Sequence, residues 1–114
     1  MKQFLLLMLT MLFVQFAFAQ TQAEMNQTAM KDYKASDVKM TAMYKKVIAG
    51  MDVNGKKLLV TAQRAWIKYK EAHCASAANE YEGGSMKPLI LYACLKEMTD
   101  ARIEQLKSLL PQDQ

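Results

Sequence analysis

The sequence is poor in the residues that carry chemistry. It holds one histidine, one tryptophan and two cysteines in 114 residues. No serine, histidine and acid stand in a recognisable catalytic context, no glycine-rich phosphate loop is present, and no cluster has metal-ligand spacing. His73 beside Cys74 offers too few ligands for a metal, and there is no C-x-x-C-H run for haem. These gaps argue against an enzyme and against any metal or cofactor. Strand-like patterning, internal repeats and low-complexity linkers are missing as well. So are runs of like charge: Lys45-Lys46 and Lys56-Lys57 are isolated pairs that suit solvated helix ends, and no nucleic acid partner is indicated.

What is present begins with Met1 to Ala19, which reads as one lysine, an apolar run from Phe4 to Phe18, and Ala17-Phe18-Ala19 at the end. This is the pattern of a secretory signal peptide cut after Ala19. The run is a little short for a membrane anchor, and Gln20 rather than cysteine follows the cut, so no lipid site is evident. The expected organisation is a signal peptide over residues 1–19 and a single domain over 20–114, periplasmic or secreted and without an anchor after cleavage. Removing Lys2 from the 15 basic residues leaves 14 against 11 acidic, a net of +3. Export would place Cys74 and Cys94 in an oxidising compartment, where an even count suggests a disulfide. Each cysteine lies ten residues from Gly84, so an antiparallel hairpin turning at Gly83-Gly84 would set them opposite one another. Two free thiols are the alternative.

Helical periodicity accounts for the rest of the chain. Asn26, Met30, Tyr33, Asp37, Met40, Tyr44, Val47 and Met51 alternate steps of four and three, a heptad seam that predicts a first helix from about Gln22 to Ala49. Thr21 and Glu24 have capping-box spacing, and Gly50 is a plausible stop. Asp52 to Gly55 reads as a turn into a second helix from about Lys56 to Ala78. On it Leu59, Ala62, Trp66, Tyr69 and His73 form an apolar stripe, with Gln63, Lys70 and Cys74 on the same side. A turn-rich connection over Asn79 to Ser85 follows, with Ser85 as the expected N-cap and Pro88 in the first turn of a third helix. That helix is expected to end near Leu110, before Pro111, with Leu91, Cys94 or Leu95, Met98, Arg102, Leu106 and Leu109 on its inner face. The fold class is therefore all-α, a small antiparallel three-helix up-down-up bundle with one disulfide joining helices 2 and 3.

Two features of the seam invite a chemical reading. Asp37 occupies a core position, and counting back from each turn sets it level with Trp66 and Trp66 level with Arg102. This suggests an Asp37 to Arg102 ion pair beside Trp66, with Gln63 adding a hydrogen bond, as a polar core that fixes register rather than as a catalytic site. Met40 and Met43 lie one turn apart and have the soft sulfur that cuprous ion prefers, but methionine as adaptable core filler is the favoured reading.

TQAEMN at 21–26, Asp32-Tyr33 with Ser36-Asp37, Tyr44, AQRAWIKYK with Cys74, EGGS at 82–85, Cys94, and Met98-Thr99 with Arg102 together resemble the LprI-like lysozyme-inhibitor family. The similarity spans nearly the whole of residues 20–114, and the order of separated motifs makes it specific. It implies an exported helical domain of bacteria, with members that inhibit animal-type lysozymes, no enzyme activity and no cofactor. One departure stands out. The family commonly has a cysteine shortly before the TQAEMN segment and another where this chain has Thr28, and both are absent here. The first helix is accordingly expected to be less tightly tied than in relatives.

A lysozyme cleft carries two carboxylates, so a blocking protein needs a projecting loop with donors or a cation. The candidate loop is Asn79 to Lys87, with Tyr81 to stack, Glu82 beside it, Ser85 and the Gly83 and Gly84 N–H groups to donate, and Lys87 to approach the acids. A plain helix connection is the simpler account of the same residues. The expected function is a binding protein with a protein partner such as lysozyme. The alternative is an envelope module that binds another protein or a peptidoglycan fragment without inhibiting lysozyme.

Overall fold

The computed structural model describes residues 1–112, so the last two residues of the expected domain, 113 and 114, lie outside the described residues. Three long helices follow one another. Helix α1 covers Lys2–Ala49, α2 covers Val53–Ala78, and α3 covers Lys87–Lys107, with a short 3-10 turn at Asn79–Tyr81 before α3. No strand occurs among the described residues.

Helix α1 does not start at Gln22. It runs unbroken through the expected cleavage point, and its length stretches the molecule to 79 × 26 × 17 Å. Because the backbone is already helical at Thr21, that hydroxyl has no exposed N–H to cap and bonds back to the Ala17 carbonyl at 3.0 Å instead. The capping box is therefore not formed in the full-length chain. The N-terminal part of α1 is long and apolar enough to cross a membrane, and none of that stretch is buried in the protein.

Helix α1 stops at Gly50, but in an ordinary right-handed conformation, with the Gly50 and Met51 N–H groups tightening onto Val47 and Ile48. Helix α2 starts earlier than Lys56. The Asp52 carboxylate accepts the Gly55 N–H at 2.7 Å, which makes Asp52 the N-cap and turns the expected DVNG loop into the first turn of the helix. Helix α3 ends at Lys107, and Leu109 and Leu110 continue in tighter i to i+3 turns before Pro111.

The register of the helices is fixed by cross-contacts. Gln63 reaches Met40 and Lys70 reaches Tyr33, so residue numbers fall along α2 as they rise along α1. Gln63 meets Arg102 and Cys74 is bonded to Cys94, which gives the same opposed sense for α2 and α3. Asn26 meets Ser85 and Tyr33 packs on Tyr92, so α1 and α3 run together. Helix α1 lies mainly on α3 and touches α2 little. The apolar core is concentrated toward the Gly50 end, where Met40, Val47, Leu59 and Leu106 pack together under Met43, Tyr44, Trp66 and Ile103.

The inner face of α2 is rotated from the predicted stripe. Leu59, Gln63, Lys70, Cys74 and Ala78 are buried and Trp66 is half-buried, whereas Ala62, Tyr69 and His73 are exposed. The rotation follows from Lys70, whose ammonium sits over the Trp66 and Tyr33 rings at 4.8 and 5.2 Å while its stem is covered. A lysine that ends on aromatic faces can occupy a core row that a charge count would place outside.

The predicted Asp37 to Arg102 ion pair is not formed. The Arg102 Nε donates to Gln63 at 3.0 Å, its Nη1 donates to Gln105 at 3.1 Å, and its guanidinium lies 5.7 Å from the Trp66 ring centre. Burial disfavours the charged form of Arg102 and lowers its pKa. Helix α1 turns Ser36 inward, at 5% exposure, and leaves Asp37 half-buried beside it. A short hydroxyl costs less to desolvate than an unpaired carboxylate, which decides between the two neighbours. Gln63, Trp66 and Arg102 thus do come together, and Asp37 is the member left out.

Candidate functional site

The connection between α2 and α3 is held at its base by the Cys74–Cys94 disulfide, with a Cα separation of 5.5 Å. Helix α2 gives way to the 3-10 turn at Asn79, and Glu82 N–H then bonds to the Asn79 carbonyl at 3.1 Å. Gly83 follows at φ 77°, a left-handed backbone that L side chains rarely adopt. Gly84 donates its N–H to the Tyr81 carbonyl at 3.0 Å, and a β-carbon at Gly84 would stand 3.2 Å from that same oxygen. The turn thus favours glycine at Gly83 by its dihedral, and a side chain at Gly84 would make the Tyr81 carbonyl give way by a few tenths of an ångström.

The polar side chains of this segment are used differently from the sequence expectation. Ser85 does not cap α3, whose N-cap is Met86 without a side-chain bond; Pro88 does fall in the first turn. Instead the Ser85 carbonyl accepts the Asn26 amide at 2.9 Å, and Gln22 donates to Asn26 at 2.8 Å. A chain of three residues thus fastens the connection to α1, at the place where missing cysteines predict slack. Lys87 is not a loose cation. Its ammonium is paired with the Glu82 carboxylate across the turn. Tyr81, 37% exposed, and the exposed Glu80 remain presented to solvent.

Sequence pattern alone gives Asn26 and Gln22 no role in a site. Asn26 looks like an ordinary seam residue, and only its distance of 59 residues from Ser85 along the chain, closed by folding, gives it a role. Two hollows border this region. One of about 650 Å³ lies between Ala19, Gln22 and Asn26 on α1 and Ser85, Met86 and Pro88 opposite. The other, about 470 Å³, runs between α1 and α3 over Met25, Ala29, Leu89 and Ala93, with Glu24, Asp32 and Lys96 at its rim. Lys96 donates to Asp100 at 2.5 Å; that hydrogen bond, followed by one from Ser36, holds the Asp100 carboxyl below its ordinary range. The same bond raises the Lys96 pKa.

No group of three or more histidine, cysteine or acidic side chains capable of holding a metal occurs among the described residues. Nor do Met40 and Met43 offer an open thioether pair. The Met40 sulfur is buried and accepts the Gln63 amide at 3.1 Å. What the α2–α3 connection can do chemically is limited to presenting an aromatic ring and an acid from a fixed base, because the Glu82 N–H and the Gly84 N–H, the latter expected to donate outward, are spent on carbonyls of the turn itself.

Comparison with known proteins identifies a family. The family model described as lysozyme inhibitor LprI matches residues 17–106. An uncharacterized protein of Rhizobium meliloti (strain 1021) is 36% identical over 105 residues, covering 81% of this chain and 76% of that protein. No solved structure matches the chain.

Proposed function

The chain belongs to the LprI lysozyme-inhibitor family, and on that premise we propose that it is an exported binding domain that inhibits lysozyme by inserting its α2–α3 connection into the enzyme cleft. In this reading residues 1–19 are removed on export, and the remaining three helices act as an up-down-up bundle in the periplasm or outside the cell. The contact register described above supports that topology. The partner is a protein; no cofactor and no catalytic step are invoked.

The observation that carries the proposal is the way the connection is held. Disulfide at the base, Asn26 on one flank and the Glu82–Lys87 pair on the other hold a short tip whose ordering cost is met before binding. Tyr81 supplies a rigid amphipathic ring for stacking in a sugar-binding cleft. Its hydroxyl is a donor for the cleft carboxylates, a role the paired Lys87 is no longer free to take. With Lys87 neutralised by Glu82, Glu80 gives the tip a local negative charge. That offsets the unfavourable net charge of +3 on residues 20–114 when the target is basic, as animal lysozymes are.

The test is a lysozyme activity titration with the oxidised protein beginning at Gln20, alongside Tyr81→Ala and Asn26→Ala. Saturable one-to-one inhibition is expected, weakened at least tenfold by Tyr81→Ala and less by Asn26→Ala, since a hot-spot aromatic is worth about 2 kcal/mol. Full inhibition by Tyr81→Ala would place the contact elsewhere on the surface. No inhibition by the wild type would favour an envelope module that binds another protein or a peptidoglycan fragment.

A further inference from the structure

We infer that Gln20 is a modification site, closing on itself to a pyroglutamyl lactam once it becomes the first residue of the exported protein. The inference rests on the proposed cleavage after Ala19. The α-amino nitrogen of Gln20 attacks its own side-chain Cδ, the Cα-linked N–Cδ bond forms, the Cδ–Nε2 bond breaks, and ammonia leaves. The ring is five-membered and no oxidant, reductant or second reactant is needed.

Three observations favour the reaction here. First, the side chain is free to turn back. Gln20 is exposed, whereas the next glutamine, Gln22, is committed to Asn26, and Asn26 to Ser85. The helix is thus anchored from Gln22 onward, and cleavage also removes the Ala17 carbonyl that holds the Thr21 hydroxyl. Second, cleavage would leave an ammonium at the positive end of the α1 macrodipole, and the lactam removes that charge. Only the unprotonated amine attacks, so closure speeds up as pH rises. Third, cleavage removes Phe18 and Ala19 from the hollow they line with Gln22, Asn26, Ser85, Met86 and Pro88, and leaves the new end two residues from Gln22. A compact uncharged ring suits that partly apolar rim and keeps a positive charge away from the candidate binding tip. It also gives aminopeptidases no free amine to grip.

The experiment expresses the full chain with its own leader, recovers the exported protein, and reads intact mass and amino-terminal sequence before and after incubation at mildly alkaline pH. The expected result is a mass lower by one ammonia than residues 20–114, a blocked amino end, and restoration of sequencing by pyroglutamyl aminopeptidase. Gln20→Ala is the control, because it has no side-chain amide to close on and should keep its full mass and a free amine. A wild-type protein that begins at Gln20 and keeps its ammonia through incubation overturns the lactam while leaving the export reading intact. An amino end at any other residue overturns the cleavage assignment, and the lactam with it.

Discussion

The two ends of the helical body are stabilised by different physics. Around the Gly50 turn, Met40, Val47, Leu59 and Leu106 exclude water and hold the helices by apolar burial. Toward the α2–α3 connection the buried positions change character to Ser36, Lys70, Cys74, Ala78 and Thr99, with Leu95 as the long apolar side chain among them, and the helices are held by a disulfide, hydrogen bonds and cation–aromatic contacts. Apolar packing tolerates small displacements, whereas a covalent bond and directed hydrogen bonds fix geometry. The end that carries the candidate site is the one built to fix geometry. In the proposed mode of binding, position matters more there than surplus stability, because a tip ordered beforehand loses less entropy on insertion.

That contrast can be broken at either end. The largest effect is expected from Leu106→Ala, which removes a fully buried side chain from the apolar end and should cost about 3 kcal/mol in urea unfolding. A loss below 1 kcal/mol would mean the core is not centred there. Replacing Cys74 and Cys94 together by serine opens a separation of 20 residues and should cost about 3 kcal/mol or somewhat less. It sharpens the comparison because hydrogen exchange should speed up first in residues 75–93, while Met40 to Val47 stay protected. Uniform loss of protection at both ends would show that they are one cooperative unit.

The smallest effect concerns pH. The folded-state pKa of Asp100 is depressed by Lys96 and Ser36, so its contribution is present above the ordinary value of 3.8 and is lost as pH falls through the lower folded value. Both partners are well exposed, so solvent screens most of the gain. Asp100→Asn should flatten a shallow acid-side decline in the urea midpoint and leave the neutral value nearly unchanged. An unaltered decline would assign it to other carboxylates.

Much of this arrangement was legible in the residues themselves. Three helices, the turn at Gly50 and the Cys74–Cys94 bond follow from heptad spacing, glycine placement and the symmetric distance about Gly84, and the structure contains all of them. Faces were less legible than elements. A one-residue rotation decides whether Ser36 or Asp37 points inward, and the heptad count cannot weigh desolvation of a carboxylate against that of a hydroxyl. Sequence spacing puts Lys70 on the same side as the apolar stripe without saying what would hold its charge there, and two aromatic rings from different helices supply that place. The candidate connection was located by Gly83-Gly84, but its fastening was not. Asn26 and Ser85 meet only through tertiary folding, and Lys87 finds Glu82 because the turn doubles back. Local pattern carries no signal for either contact.

The preference of α1 for α3 over α2 has a consequence for how the protein is made. A chain is delivered from its amino end, so the first helix emerges long before the partner it needs, and its neighbour in sequence offers it little to rest on. Most of its apolar face must stay uncommitted until the last helix arrives. A polypeptide with that order of assembly remains threadable for nearly its whole length, and it closes only when its carboxyl-terminal third has been delivered.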